Sequence, residues 1–173
     1  VIERPAAALK ELVENAIDAG ATLVEVDLRD GGKSLIRVRD NGSGMLRQDL
    51  EACIERHATS KLNDDDLVNI RHLGFRGEAL PSIGSVARLT ITTRHKDEDS
   101  GWTLCVEGDK KSTTTPAPHP KGTSVEVRDL FYATPARLKF LKTDRAEYSA
   151  IKDMLSRIAM ANPSISFHLS HND

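Results

Sequence analysis

Apolar residues that repeat every three or four positions form the first pattern in the chain, and they predict a helix over about residues 5–19. Its apolar face consists of Leu9, Leu12, Val13, Ala16 and Ile17. Pro5 suits the first helical position, and Gly20 suits the residue just past the helix end. The pattern therefore indicates an amphipathic helix that packs one face on a core.

Alternation of apolar and polar residues predicts strands along much of the remaining chain. The predicted strands span residues 23–29, 34–39, 87–94, 102–107, 123–128 and 166–170. The segment between the first two strands, Asp30-Gly31-Gly32-Lys33, has the composition of a hairpin turn. We also expect a short helix over about residues 48–56 and a long helix over about residues 144–161. Short connections favour a mixed, mostly antiparallel sheet with helices on one face, which is an α+β two-layer sandwich.

Two segments have loop-like composition, residues 58–80 and the proline-containing residues 109–122. Neither has the composition of a linker, so we expect residues 1–173 to form a single domain. With 24 basic and 26 acidic residues the net charge is −2, which excludes a globally basic nucleic-acid coat but permits a local basic patch. Cys53 and Cys105 lack the spacing of a zinc site or a disulfide framework.

A polar stripe on the predicted first helix consists of Glu11, Asn15 and Asp18. At roughly 100° per residue they fall within about 60° of one another, opposite the apolar face. A carboxylate and a carboxamide one turn apart suit a hydrated Mg²⁺, or, for the glutamate, deprotonation of a water molecule. The alternative is a solvated helix face, because this spacing is common.

A second candidate lies at the end of the second predicted strand. Alternation places Asp40 on the same face as Ile36 and Val38, where a carboxylate needs a partner. Gly42 and Gly44 follow it, and glycines allow a ligand ring to approach the backbone closely. This arrangement suits recognition of an exocyclic amine, although the same residues also form good turns.

Three further segments carry weaker signals. The glycine-containing residues 74–80, together with residues 56–61, favour a lid that covers phosphates, with an ordinary surface loop as the alternative. Thr123 begins a strand and could support Asp40 or a water molecule beside it, or could be a simple β-branched strand residue. The basic residues that could contact a DNA backbone, or else form a solvated face, are Arg137, Lys139, Lys142 and Arg145.

Four segments in this order resemble the motifs of the Bergerat-fold ATPases, which include gyrase, heat-shock chaperone, histidine-kinase and MutL ATPases. They are residues 11–20 (ELVENAIDAG), 40–44 (DNGSG), 74–80 (GFRGEAL) and 122–123 (GT). Longer strings narrow the resemblance to the N-terminal ATPase region of the MutL family of DNA mismatch-repair proteins. These strings are residues 56–61 (RHATSK), 73–80 (LGFRGEAL) and 131–141 (FYATPARLKFL).

The resemblance implies roles for the matching residues. Glu11 would be the general base, Asn15 would hold Mg²⁺, and Asp40 would accept from the adenine amine of ATP with Thr123 behind it. The positions implied to bind the nucleotide are Asn15, Asp18, Ala19, Asp40, Gly42, Gly44, Met45, Thr59, Ser60, Lys61, Gly74, Phe75, Arg76, Gly77, Glu78, Ala79, Leu80 and Thr123.

The resemblance also implies a slow ATPase that couples ATP-driven homodimerisation to repair. Implied partners are a mismatch-recognition protein, a strand-nicking endonuclease, a helicase and DNA, with no membrane. The implied location is the cytoplasm, associated with the nucleoid, in a bacterium, or the nucleus in a eukaryote. The family's preceding segment, second subdomain and C-terminal dimerisation domain have no counterpart in these residues, so we expect weak binding and little turnover from them alone. The alternatives are a nucleotide-gated scaffold or DNA-binding module, or another Bergerat-fold ATPase of the topoisomerase type.

Overall fold

The computed structural model describes residues 2–55, 78–108 and 110–173. The helices are α1 (Pro5–Asp18), α2 (Arg47–Cys53), α3 (Ala79–Val86), α4 (Pro135–Phe140) and α5 (Asp144–Ala161), with a short 3-10 turn at Asp30–Gly32. The strands are β1 (Leu23–Arg29), β2 (Leu35–Asp40), β3 (Arg88–Arg94), β4 (Gly101–Glu107), β5 (Lys110–Lys111), β6 (Thr115–Ala117), β7 (Gly122–Arg128) and β8 (Ser166–His171). No helix in these described parts is long and apolar enough to cross a membrane.

The strands of the described residues form one mixed sheet in the order β5-β4-β3-β7-β2-β1-β8, with β6 also paired to β4. Only β8 runs parallel to its neighbour, β1, while the other described pairs are antiparallel. The predicted α+β two-layer sandwich with a mostly antiparallel sheet is confirmed. At the centre, β2 lies between β1 and β7, so the end of β2 is surrounded by other strands.

The core lies between one face of the sheet and the helices. Helix α1 buries Leu9, Leu12 and Val13, and long helix α5 buries Ile151 and Leu155. The sheet residues packed against them include Val24, Val26, Leu28, Ile36, Val38, Leu89, Ile91, Leu104 and Val127. Burial of these apolar side chains at about 25 cal/mol per Å² is the main force that holds α1 on the sheet.

The predicted element bounds differ from the structure in a few places. Helix α2 ends at Cys53, before the predicted end, and α3 begins at Ala79, inside the segment predicted as loop. Helix α4 had no predicted counterpart, and β5 and β6 lie within the proline-containing segment.

Both cysteines are free, and burial raises the pKa of the Cys53 thiol to about 12.

Candidate functional site

A cavity lies between α1 and the sheet, beside the end of β2. Its wall is mostly apolar, and its polar side chains come from Asn15, Asp40 and Thr123. The lining residues are Leu12, Asn15, Ala16, Ala19, Val38, Asp40, Gly44, Met45, Leu80, Ile91, Thr123 and Val125. An apolar slot with a few convergent polar groups is typical of a small-molecule site.

Asp40 ends β2 with its carboxylate at this cavity. Its Oδ1 accepts the backbone N–H of Gly42 at 2.8 Å, and the backbone N–H of Thr123 donates to the same carboxylate. Burial raises the pKa of Asp40 from 3.8 to about 6, against the opposing effects of these hydrogen bonds and the charge of Lys121. The ionised form therefore still predominates at neutral pH and keeps lone pairs available for a ligand donor.

Three adjacent strands place Thr93, Thr123 and Asp40 in one row. The register pairs Thr93 with Thr123 and Thr123 with Asp40. The two threonine Oγ1 atoms are 2.9 Å apart, and Thr93 is completely buried. The Thr123 hydroxyl thus contacts Thr93, whereas its backbone N–H contacts Asp40, so its support of the carboxylate comes from the main chain.

The start of the loop after β2 is held by hydrogen bonds to its surroundings. The Oδ1 atom of Asn41 accepts the backbone N–H groups of Thr22 at 2.8 Å and Leu23 at 2.9 Å. The N–H of Ser43 donates to the carbonyl oxygen of Ala19, at the end of α1, at 2.9 Å. The turn chemistry and the ligand-site interpretation of this segment are therefore compatible, because the turn holds the cavity wall in place.

The second half of this loop depends on a glycine. Gly44 has a φ of 71°, and a Cβ atom there would lie 2.0 Å from the carbonyl oxygen of Arg94. Both features exclude a larger residue. The next residue, Met45, donates its N–H to Oγ1 of Thr93 at 2.9 Å, which ties this side of the cavity to β3.

The α1 side of the cavity has a different character. Oδ1 of Asn15 is shielded from solvent and has no hydrogen-bond partner within residues 2–55, 78–108 and 110–173. Glu11 lies one turn earlier and is half-buried, as is Asp18 at the helix end. Neither carboxylate belongs to the residues that line the cavity, so only one member of the predicted stripe reaches it.

The side-chain oxygen of Asn15 on α1 is a suitable ligand for a Mg²⁺ ion that also binds a ligand's phosphates. Burying an amide oxygen costs free energy unless a hydrogen-bond donor or a cation contacts it. Mg²⁺ is commonly bound by one or two protein oxygens together with phosphates and waters. Asn15 is therefore the residue of the described chain best placed to hold such an ion.

The structure places the remaining predicted nucleotide contacts unevenly. Leu80, on α3, lines the cavity, whereas Glu78 and Ala79, just before it, do not. Gly42 contributes through its N–H to Asp40. The predicted lid residues Thr59, Ser60, Lys61, Gly74, Phe75, Arg76 and Gly77 lie outside the described residues.

The four basic residues predicted to contact DNA are all exposed, and they lie on α4, on the link that follows it and in the first turn of α5. They are Arg137, Lys139, Lys142 and Arg145. Phe140, at the end of α4, is 88 % exposed. The guanidinium carbon of Arg137 is 5.7 Å from the ring centroid of the fully buried Phe131, which anchors this segment to the core.

Thr93 is a site residue that the sequence analysis did not identify. The signal was present, because Leu89, Ile91 and Thr93 alternate on one face of β3 as Val38 and Asp40 do on β2. A polar residue that continues an apolar face needs a hydrogen-bond partner, as Asp40 does.

Comparison with known proteins agrees with this geometry. The histidine kinase-, DNA gyrase B-, and HSP90-like ATPase family matches residues 3–131. The chain is 63 % identical over 170 residues to the DNA mismatch repair protein MutL of Paramagnetospirillum magneticum, and 62 % identical to that of Bradyrhizobium diazoefficiens. Each match covers 98 % of this chain but 28 % of the relative, so the chain spans about a quarter of their length.

A solved structure supports the same relationship. The Aquifex aeolicus MutL ATPase domain complexed with ADP is 37 % identical and superposes with a TM-score of 0.81, over 99 % of this chain and 61 % of that one. The expected fold and family resemblance are thus confirmed. The chain belongs to the histidine kinase-, DNA gyrase B- and HSP90-like ATPase family and is homologous over nearly all its length to the ATPase region of MutL DNA mismatch-repair proteins.

Proposed function

We propose that this domain binds ATP in the cavity between α1 and the sheet and hydrolyses it slowly. The observation that carries the proposal is the Asp40 carboxylate, held by the N–H groups of Gly42 and Thr123 at an otherwise apolar wall. A carboxylate with free lone pairs in such a slot accepts from the exocyclic amine of adenine while the apolar wall contacts the ring. Membership of an ATPase family supports the same conclusion.

The α1 side of the cavity accounts for the chemical step in this proposal. Glu11 accepts a proton from the attacking water, which is the role of a general base. Asn15 would be the protein ligand of Mg²⁺, and the ion would supply positive charge that neutralises the negative charge of the phosphates. The shielded amide oxygen of Asn15 supports this assignment, and Asp18 and Ala19 then lie at the edge of the nucleotide.

We infer that the hydrolysis serves as a switch in DNA mismatch repair. In this proposal, ATP binding favours a closed form of the domain, and that form promotes homodimerisation and contact with repair partners. The partners inferred are a mismatch-recognition protein, a strand-nicking endonuclease and a helicase, acting on DNA. ATP can drive such a switch only if it binds the closed form more tightly than the open one. The names of the relatives support the repair context.

The experiment that tests ATP binding is titration of the full-length protein with ADP, comparing wild type with Asp40→Asn. The amide group turns one acceptor oxygen into a donor, so affinity should fall by about 10- to 100-fold. Asp27→Asn is the matched control, because Asp27 pairs with Arg37 and lies away from the cavity. Equal affinities for wild type and Asp40→Asn would show that Asp40 does not bind the adenine base. No binding of ADP by the wild type would reject the proposal itself.

A DNA contact is a second proposed activity, and it is favoured by the exposed surface on α4 and α5. Four exposed basic residues and Phe140, which is 88 % exposed, lie within residues 137–145, a combination suited to phosphates and to base stacking. Reversing Arg137 and Lys139 to glutamate should weaken DNA binding and reduce its salt slope by about 2. The control reverses Lys110 and Lys111, which are also exposed; an unchanged slope for the first variant would exclude this surface.

A further inference from the structure

Thr93 makes three polar contacts from a completely buried position on β3. Its Oγ1 accepts the N–H of Met45 at 2.9 Å. The same atom is 3.0 Å from the carbonyl oxygen of Gly122 and 2.9 Å from Oγ1 of Thr123. Met45 and Thr123 both line the cavity, whereas Thr93 lies behind them.

The valences of these groups determine the direction of each hydrogen bond. A hydroxyl has one proton and two lone pairs. The Met45 N–H uses one lone pair of Thr93, and the Gly122 carbonyl can only accept, so it takes the Thr93 proton. The Thr123 hydroxyl must then donate to the remaining lone pair of Thr93. If Thr93 donated to Thr123 instead, Oγ1 of Thr93 and the Gly122 carbonyl oxygen would face each other at 3.0 Å with no proton between them.

This assignment fixes what the cavity wall offers to a ligand. Since the Thr123 proton is directed at Thr93, Thr123 presents only lone pairs to the cavity, next to the Asp40 carboxylate. A wall made of acceptors matches a ligand edge that carries donors, such as an exocyclic amine or a bound water. It disfavours a carbonyl-bearing edge, which would face unpaired acceptors.

We propose that Thr93 is a positioning residue for base recognition: it directs the Thr123 hydroxyl away from the ligand and holds the Met45 side of the cavity in place. This inference rests on the proposed ATP site, because it specifies how that site reads the base. Thr93 does not touch the nucleotide in this proposal and acts through its two neighbours.

The first test measures ADP affinity by titration calorimetry in the full-length protein. Thr93→Val keeps the shape but leaves the Met45 N–H unpaired and releases the Thr123 proton, so affinity should fall about tenfold. Thr93→Ser keeps the hydroxyl and should stay within about twofold of wild type. Thr92→Val is the matched control, because it removes a hydroxyl pair with Thr103, 3.0 Å away, that lies outside the cavity wall.

The outcomes separate this inference from the proposed function. Wild-type affinity in Thr93→Val, or an equal loss in Thr92→Val, would overturn the positioning role while ATP binding stands. Failure of the wild-type protein to bind ADP would reject the ATP site and this inference with it.

A second measurement does not depend on a variant that folds. Neutron diffraction from deuterated wild-type crystals locates the hydroxyl deuterons directly. We expect the Thr123 deuteron to point at Thr93 and the Thr93 deuteron at the Gly122 carbonyl. A Thr93 deuteron directed at Thr123 would overturn the proposal whatever the affinities show.

Discussion

The two polar sides of the cavity are built differently. On the sheet side, Asp40, Thr93 and Thr123 are each hydrogen-bonded, and the loop after β2 is tied to α1 and β1. On the helix side, Oδ1 of Asn15 is shielded but has no partner in the described part of the chain. Glu11, one turn away, is half-buried and does not line the cavity.

The difference indicates which part of the proposed site exists before ATP binds. The polar groups of the sheet side are already held by hydrogen bonds to their neighbours, and a preformed site loses less entropy on binding. On the helix side, Oδ1 of Asn15 has no partner among the described residues, and in the proposed site it gains one only when the ion binds. We therefore expect substitutions on the sheet side to change affinity and stability, and substitutions on the helix side to change turnover.

The largest effect expected from this comparison is on turnover in Glu11→Ala. Removing a general base slows the chemical step by about 10²- to 10⁴-fold. Because Glu11 does not line the cavity, the Kd for ATP should change little. Steady-state hydrolysis and equilibrium binding, measured on the same full-length preparation, test both expectations.

Glu14→Ala is the control for this experiment, since Glu14 lies on the same helix and pairs with Lys10 at 3.8 Å. Turnover near the wild-type rate in Glu11→Ala would mean that Glu11 is not the base. The same result would favour the alternative in which the domain is a nucleotide-gated scaffold and hydrolysis is incidental.

The second effect concerns the backbone of the sheet side and compares two glycines. In Gly44→Ala the new Cβ meets the Arg94 carbonyl at 2.0 Å and the residue must keep a φ of 71°, so the free energy of unfolding should fall by about 3 kcal/mol. Gly20 has a φ of 81° but open space around it, so Gly20→Ala should lose about 1 kcal/mol. Chemical denaturation of both variants measures the difference, and equal losses would show that the loop tolerates a Cβ.

Local sequence patterns predicted most of the fold. Helix α5 and strand β1 have the predicted bounds, because each has a strong period and a clear terminator. Strands β5 and β6 are only two and three residues long, and they form through pairing with β4 rather than through their own pattern. Helix α4 was missed although Pro135 occupies its first turn, since six residues give too short a period to recognise.

The site was predictable where a residue carries its own signal, and less so where sheet register decides. Asp40 is recognisable because an acidic residue ends an apolar alternation. Alternation along β3 places Thr93 rather than Thr92 on the buried face, but its contact with Thr123 depends on the register with β7. Helical spacing correctly placed Glu11 on one stripe with Asn15. It could not show that only Asn15 of that stripe lines the cavity, because this depends on how α1 packs on the sheet.

The smallest effect expected is a pH dependence at the sheet side that is opposite for stability and binding. The pKa of Asp40 is about 6 in the folded protein, above its ordinary value of 3.8. Between these values the folded state binds a proton that the unfolded state has lost, so the contribution of Asp40 to stability increases as pH falls through 6 towards 4. Binding changes in the other direction, because a protonated carboxyl has fewer lone pairs for the adenine amine. From pH 7 to pH 5 the Asp40-dependent affinity for ADP should fall about tenfold.

Asp40→Asn isolates both effects, because its amide does not titrate in this range. The difference in unfolding free energy between wild type and Asp40→Asn should shift in favour of wild type on going from pH 7 to pH 5, and titration of other groups cancels in that difference. The ratio of their ADP affinities should move the opposite way over the same interval. An affinity ratio that stays constant while the stability difference shifts would mean that Asp40 acts on the fold alone, and the preformed sheet side would then lose its role as the base-recognition wall.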